Sequence, residues 1–357
     1  MRKTLILSIV LFLYSVFTFS QAPAGYYTNA DGKTGADLKT ALYNIIKGHT
    51  SVSYDYLWTA FQTTDKKTNG KVWDVYSNIE FTFGTNQCGN YSAEGDCYNR
   101  EHSFPKSWFK IQSGHEDEVP MGTDLFHLYP TDGYVNGRRS NYPFGEVSST
   151  TWTSGNGSKL GTTSASGSTI TVFEPVDEYK GDFARTYLYM ATRYENLIAS
   201  WKTNTTETQQ ILDGNSFPAF QSWYVQLLLN WSKKDPVSQK EIDRNNAVYS
   251  IQGNRNPFID HPGYADSIWN PSSVVTELKN IPLVNVYPNP AKGEITIEVT
   301  GSTAKSLSII NVIGNTVLQQ QYDGTKQSID ISKLNTGVYF VNVLGDKFKN
   351  TTRIVVY

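Results

Sequence analysis

Apolar positions along the chain change period several times. Leu38, Leu42, Ile45 and Ile46 recur near helical spacing and predict helix within 36–62. Over 71–84, Val72, Trp73, Val75, Tyr76, Ile79, Phe81 and Phe83 alternate in part with polar residues, which predicts a strand. Residues 87–95 read as loop. The Ser-, Thr- and Gly-rich stretch 148–168 reads as a surface excursion, ended by a short strand over 169–173. Helix returns over 182–202, where Phe183, Tyr187, Met190, Tyr194 and Ile198 share one face. Another helix is expected over 220–232, burying Trp223, Leu227, Leu228 and Trp231. A further one should start at Asp235-Pro236-Val237-Ser238, with Pro236 in its first turn.

From about residue 271 the character shifts to short alternating runs separated by turn residues. Such runs occupy 294–299, 307–310, 338–343 and 353–357, a spacing that suits a small β-sandwich. Pro, Ser and Asn cluster over 270–282, which marks a boundary. The expected class is therefore α+β: a first domain with more helix than strand, then a small all-β domain. No internal repeat is visible.

At the N-terminus Arg2 and Lys3 precede an apolar run over 5–17, followed by the small residues Thr18 and Ser20. That is the layout of a secretory signal peptide, with cleavage expected after Ser20. The run is short for a membrane span, and no later segment looks transmembrane, so no stable membrane insertion is expected. The expected division is a leader at 1–20, a first domain at 21–270, a linker at 271–282 and the β domain at 283–357.

In an exported chain the two cysteines, Cys88 and Cys97, favour a disulfide. Such a bridge would stiffen the entry to the segment around His102. Two free buried thiols are the alternative. Formal net charge is −2; with two cations in the leader and a net of two in the tail, residues 21–280 are left at −6. A uniformly basic nucleic-acid binder is thus excluded, and any grip on phosphate must come from a local patch or a bound cation.

Two segments concentrate the chemistry. Asn99-Arg100-Glu101-His102-Ser103-Phe104-Pro105 puts a carboxylate beside an imidazole. A neutral imidazole can take a proton from water near neutral pH. A carboxylate is a hard oxygen ligand suited to Mg²⁺ or Ca²⁺. Adjacent extended residues point to opposite faces, so base and ligand would address different sides of one phosphate. Asp124-Leu125-Phe126-His127-Leu128-Tyr129-Pro130 runs on to Asn136, whose amide oxygen is a second hard ligand. Arg138 and Arg139 follow, with guanidinium forks that match phosphate. The plainer reading makes Asn136-Gly137 a turn and both arginines solvated.

The stretches 97–105 and 124–142 resemble the signature of the bacterial endonuclease I family, and Lys180-Gly181-Asp182-Phe183-Ala184-Arg185 and residues 252–262 resemble two later blocks. The resemblance covers roughly 35–270. It implies a ββα-metal (His-Me finger) site in which His102 is the general base. Glu101 and Asn136 would hold one divalent ion, Mg²⁺ with Ca²⁺ or Mn²⁺ as substitutes. It implies a nonspecific endonuclease that cuts DNA, and RNA as well, to 5′-phosphates. Arg139 and Asn141 match recurrent positions for phosphate binding or bracing. Arg100, Arg138 and Lys106 are candidates for the cation that meets the transition state. His127 stands behind the base, and the preceding Phe126 departs from the polar residue usual in the family. His49 and His115 are expected on the surface, and His261 in a structural role.

The tail is similar to the sorting domain of type IX secretion, on Val286-Tyr287-Pro288-Asn289-Pro290, Gly293, residues 309–314 and 329–334, and Gly337-Val338-Tyr339-Phe340-Val341. That resemblance implies a secreted or surface-bound monomer handled by the type IX machinery. A competing class is an inactive nuclease fold that only binds nucleic acid at the cell surface. A zinc hydrolase would need a His and Cys cluster, which the sequence does not display.

Overall fold

The computed structural model describes residues 22–270, 283–300, 303–345 and 348–357. The expected leader at 1–20 and linker at 271–282 lie outside the described residues. The chain divides into two compact units, one ending at Asn270 and one beginning at Pro271.

The first unit opens with α1 (Gly35–Ile46) and α2 (Leu57–Thr64). They occupy the ends of the expected helix at 36–62, which is interrupted by turn residues. No strand forms over 71–84. Val72, Val75, Tyr76 and Phe81 are buried there as separate anchors. The Asp74 carboxylate accepts hydrogen bonds from Tyr76 N and Ser77 Oγ, holding a turn where a ladder would need extended backbone. β1 (Tyr98–His102) pairs antiparallel with β2 (Leu128–Asp132), placing His102 opposite Leu128 and Tyr98 opposite Asp132. α3 (Gly133–Arg139) follows β2 directly.

The expected surface excursion is instead sheet. β3 (Ser149–Thr153), β4 (Lys159–Thr163) and β5 (Ile170–Glu174) form a three-stranded antiparallel sheet. The threonines are β-branched and suit a pleated surface, which outweighs their polarity.

α4 (Lys180–Arg193) is buried along its whole length. It ends at Tyr194, so the helix expected over 182–202 is split, and α5 (Ile198–Trp201) resumes it. Then come α6 (Thr206–Ile211), α7 (Ser222–Lys234), α8 (Gln239–Gln252), α9 (Pro257–Asp260) and α10 (Tyr264–Trp269). Ser238 caps α8 in a capping box with Glu241, so Pro236 lies before the helix and not in its first turn. A large apolar core, rich in aromatic rings from α4 and α7, and a small cluster of Val72, Phe81 and Tyr98 hold this unit together.

In the second unit β6 (Leu283–Lys292), β7 (Glu294–Thr300), β8 (Ala304–Asn311), β9 (Thr316–Gly324), β10 (Lys326–Asp330), β11 (Gly337–Gly345) and β12 (Lys349–Val356) run in the order β10-β7-β6-β12-β11-β8-β9. Alternate residues such as Ile295, Ile297 and Val299 are buried in a single core. The architecture is thus α+β followed by all-β. Among the described residues no helix is long and apolar enough to cross a membrane.

Candidate active site

β1, β2 and α3 form a ββα unit whose side chains meet in a polar cleft of about 210 Å³. Its walls include Tyr54, Tyr91, Arg100, Glu101, His102, Lys106, Asn136 and Asn141. Asp132 fixes the unit. Its carboxylate caps α3 through Val135 N at 2.9 Å and accepts from Gly95 N at 2.7 Å. Cys88 and Cys97 are joined in a disulfide that closes the loop carrying Tyr91.

His102 is buried, and its Nε2 lies 3.0 Å from the carbonyl oxygen of Gly122. A carbonyl only accepts, so Nε2 carries the proton and the neutral ring has its lone pair at Nδ1. No hydrogen bond engages Nδ1 among the described residues. Burial, reinforced by His127, Lys106 and Arg100, holds the His102 pKa well below the usual imidazole value. The ring is therefore neutral at physiological pH, with its Nδ1 lone pair free to accept a proton. Tyr54 stacks on it at 5.9 Å. Gly122 approaches so closely that a Cβ there would meet the Glu116 carbonyl oxygen at 2.0 Å.

Glu101 is also buried. Its Oε1 accepts from Tyr76 Oη at 2.8 Å and from Arg139 Nη1 at 3.0 Å. No hydrogen bond or ion pair engages Oε2 among the described residues. Burial raises its pKa, against the opposing pull of Arg139 and Tyr76.

Arg139 belongs to the cleft lining, but its fork is turned to protein partners. It is fully buried, and its Nη atoms also bond to the carbonyls of His102 and Ser103 and to Tyr187 Oη. Of the two roles expected for it, its surroundings match the brace. Burial works against its charge but is outweighed by Glu101 and nearby tyrosines. Arg138, one residue earlier, is exposed and stands 5.3 Å over the Trp152 ring, away from the cleft lining.

Arg100 stays in the cleft. Its guanidinium lies 3.6 Å from the Tyr54 ring centroid and 4.5 Å from Trp58, and Nη1 donates to Tyr54 O. Its buried Nε has no partner among the described residues. Lys106 reaches the cleft, but its Nζ is 2.5 Å from the buried Glu116 carboxylate. Asn141 is exposed at the rim, just after Ser140, whose φ is +54°.

His127 packs beside His102 with ring centroids 5.5 Å apart, and its Nε2 is 2.7 Å from the Met121 carbonyl. The two histidines thus hang from consecutive carbonyls. Burial lowers the His127 pKa to about 4 despite the Asp124 carboxylate. His49, expected on the surface, has its side chain buried. Its Nδ1 accepts from Arg193 Nε at 3.0 Å, beside Asp124. His115 is exposed and paired with Glu118.

Tyr54, Tyr76, Tyr91 and Gly122 complete the site although no local signal marked them. They enter from loops distant in sequence, and aromatic residues are too common in this chain to single out.

A divalent ion can be tested against the donor set. Among the described residues no three His, Cys, Asp or Glu side chains converge on one point. The cleft instead offers one carboxylate oxygen and one amide oxygen, Glu101 Oε2 and Asn136 Oδ1, both without protein partners among the described residues. Mg²⁺ retains several waters and completes its shell with substrate phosphate, so a sparse all-oxygen pair fits it and does not fit structural zinc.

The family model described as Endonuclease I matches residues 34–263. That described as Secretion system C-terminal sorting domain matches residues 285–357. The chain is 36% identical over 265 residues to the extracellular ribonuclease of Bacillus amyloliquefaciens, covering 71% of this chain and 81% of that protein. It is 37% identical over 253 residues to the extracellular ribonuclease of Bacillus subtilis (strain 168), covering 68% and 78%. Over 140 residues it is 27% identical to a periplasmic deoxyribonuclease of Aeromonas hydrophila, covering 39% and 48%. The chain therefore belongs to the Endonuclease I family of nucleases and carries a C-terminal secretion sorting domain.

Proposed function

We propose that this chain is a secreted, divalent-metal-dependent endonuclease of low sequence preference, acting on RNA and DNA and leaving 5′-phosphates. The observation that carries the reading is the tautomer of His102. With Nε2–H donated to Gly122, the Nδ1 lone pair shares a cleft with Glu101 and Asn136.

His102 Nδ1 takes a proton from a water as that oxygen attacks phosphorus. The bond from phosphorus to the 3′-oxygen breaks, the departing 3′-alkoxide takes a proton from solvent water, and His102 returns its own to solvent, leaving a 5′-phosphate and a 3′-hydroxyl. Glu101 and Asn136 would hold the cation, which when bound would offset charge developing on the phosphate. Arg139 and Tyr76 keep Glu101 in place. Arg100, held against the Tyr54 and Trp58 rings with Nη1 on Tyr54 O and Asp55, presents Nη2 to a phosphate oxygen.

RNA as a substrate is supported by the relatives named extracellular ribonucleases, and DNA by those named deoxyribonucleases. The sorting domain, with the sequence pattern of a leader at 1–20, supports release or surface display through type IX secretion.

The test is cleavage of plasmid DNA and of a structureless RNA by the oxidised protein, with Mg²⁺ and with EDTA, beside His102→Ala. Metal-dependent cleavage reduced by about 10²–10⁴ in the variant is expected. Wild-type rates in His102→Ala would overturn the base assignment. Binding without turnover by the parent protein would make the chain a binding module.

A further inference from the structure

We propose that Tyr91, Arg138 and Trp152 form a subsite for single-stranded nucleic acid flanking the scissile phosphate, a reading that rests on the nuclease function above. The observations start with the helical phase of α3. At about 100° per residue, the helix presents successive bands. Val135 and Arg139 form the buried band. Asn136 and Ser140 line the cleft. Gly133 and Gly137 come next around the helix, and Tyr134 and Arg138 lie beyond them.

Tyr91 covers the glycine band. A Cβ at Gly133 would meet its ring at 2.5 Å, and one at Gly137 would meet its hydroxyl at 2.7 Å. The glycines are therefore required for the ring to lie against the helix. Tyr91 is 36% exposed, also lines the cleft, and is carried on the loop closed by Cys88 and Cys97. No hydrogen bond engages its hydroxyl among the described residues.

The next band joins the β3–β4 hairpin. The Arg138 guanidinium stands 5.3 Å over Trp152, and the Tyr134 ring is 6.3 Å from it. Arg138 is exposed and has no carboxylate within ion-pair reach among the described residues. The order around α3 is thus metal-ligand amide, tyrosine ring, then a free cation on an indole.

A polynucleotide strand has that alternation of bases and phosphates. The exposed Tyr91 ring can stack on a base, and the Arg138 guanidinium, seated on Trp152, can donate to a phosphate, without regard to sequence. A duplex buries its base faces, so the subsite favours unpaired strands. The free arginine also supplies a local cation in a segment, residues 21–280, whose formal charge is −6.

The experiment compares kcat/KM for a single-stranded oligonucleotide of about twelve nucleotides with that for a dinucleotide. The parent protein should prefer the longer substrate. Trp152→Ala and Arg138→Gln should each reduce that preference about ten-fold, and Trp152→Phe should retain it. Arg138→Gln should also lower the slope of log binding against log salt by about one. Because Trp152 packs partly against the core, Arg138→Gln serves as the variant that leaves the fold intact.

An unchanged length preference in both variants would overturn the subsite and leave an ordinary surface stack. Parent protein that cleaves both substrates equally well would overturn the subsite alone. Parent protein that cleaves neither would overturn the nuclease reading on which it rests.

Discussion

His102 Nε2 and the Gly122 carbonyl oxygen, 3.0 Å apart, decide which imidazole nitrogen can act as a base. Gly122 leaves no room for a side chain against the Glu116 backbone, where a Cβ would lie 2.0 Å from the carbonyl oxygen. In Gly122→Ala the new methyl would displace the segment and loosen the tie. The expected result is a loss of about 1–3 kcal/mol in stability. A fall in kcat exceeding that in 1/KM should accompany it. Denaturant unfolding and steady-state kinetics check both, and unchanged kcat would refute the role given to this carbonyl.

His127 supplies a pH dependence of stability. Its pKa falls from 6.5 unfolded to about 4 folded, chiefly through burial. The unfolded chain therefore binds the proton first as pH drops. The stability associated with neutral His127 is complete above about pH 6.5 and is lost as pH falls toward 4, by about 3 kcal/mol in all. Asp74, raised by burial to about 7, has the opposite sign over much of this window. The difference between parent and His127→Gln isolates the histidine. The variant should show the shallower loss of unfolding free energy between pH 6.5 and 4.

How much of this was legible in the sequence depends on where each residue's partners come from. Glu101, His102 and Asn136 stand in compact segments whose chemistry is local, and the structure gathers all three around one cleft. Arg138 and Arg139 look equivalent as a dipeptide, yet one helical step sends the first to solvent and the second into the core. Tyr76 belonged to an alternating run that predicts a strand. Its buried hydroxyl instead meets Glu101, 25 residues away. His49 looked like an isolated surface histidine because Arg193, its partner, lies 144 residues on. Sequence pattern thus reports local chemistry and periodicity. Burial created by distant contacts escapes it.

Arg139 and Glu101 form a buried pair with little exposure on either side. Arg139→Lys would keep the charge but lose the planar fork that also holds the His102 and Ser103 carbonyls. A destabilisation of about 1–3 kcal/mol is expected, as for leaving buried carbonyl acceptors unpaired. Metal affinity, read by isothermal titration with Mn²⁺, should weaken as Glu101 loses its brace. A variant with parental stability and metal binding would show that Arg139 is not a positioning residue.

The disulfide closes a short loop, Cys88 and Cys97 being nine positions apart. Loop entropy alone predicts that Cys88→Ser with Cys97→Ser costs about 2–3 kcal/mol. The loop also carries Tyr91 and the Gly95 amide that binds Asp132. Reduction should therefore lower activity as well as stability. Equal turnover with and without reductant would limit the bridge to a stabilising role.

Salt dependence offers a test of how phosphate is gripped. Of the cations expected to meet substrate, Arg139 is sealed in the core and Lys106 is held by Glu116. Arg100 in the cleft, whose carboxylate partner Asp55 is exposed and 3.5 Å away, and Arg138 outside it are better placed, in a segment of net negative charge. Each neutralised phosphate contributes about −0.9 to the slope of log binding constant against log salt for duplex DNA, and about −0.7 for single strands. Binding measured with catalysis blocked by His102→Ala should therefore give a shallow slope, of magnitude below about 4. A slope near −9, reporting about ten contacts, would require a basic surface that the described residues do not present.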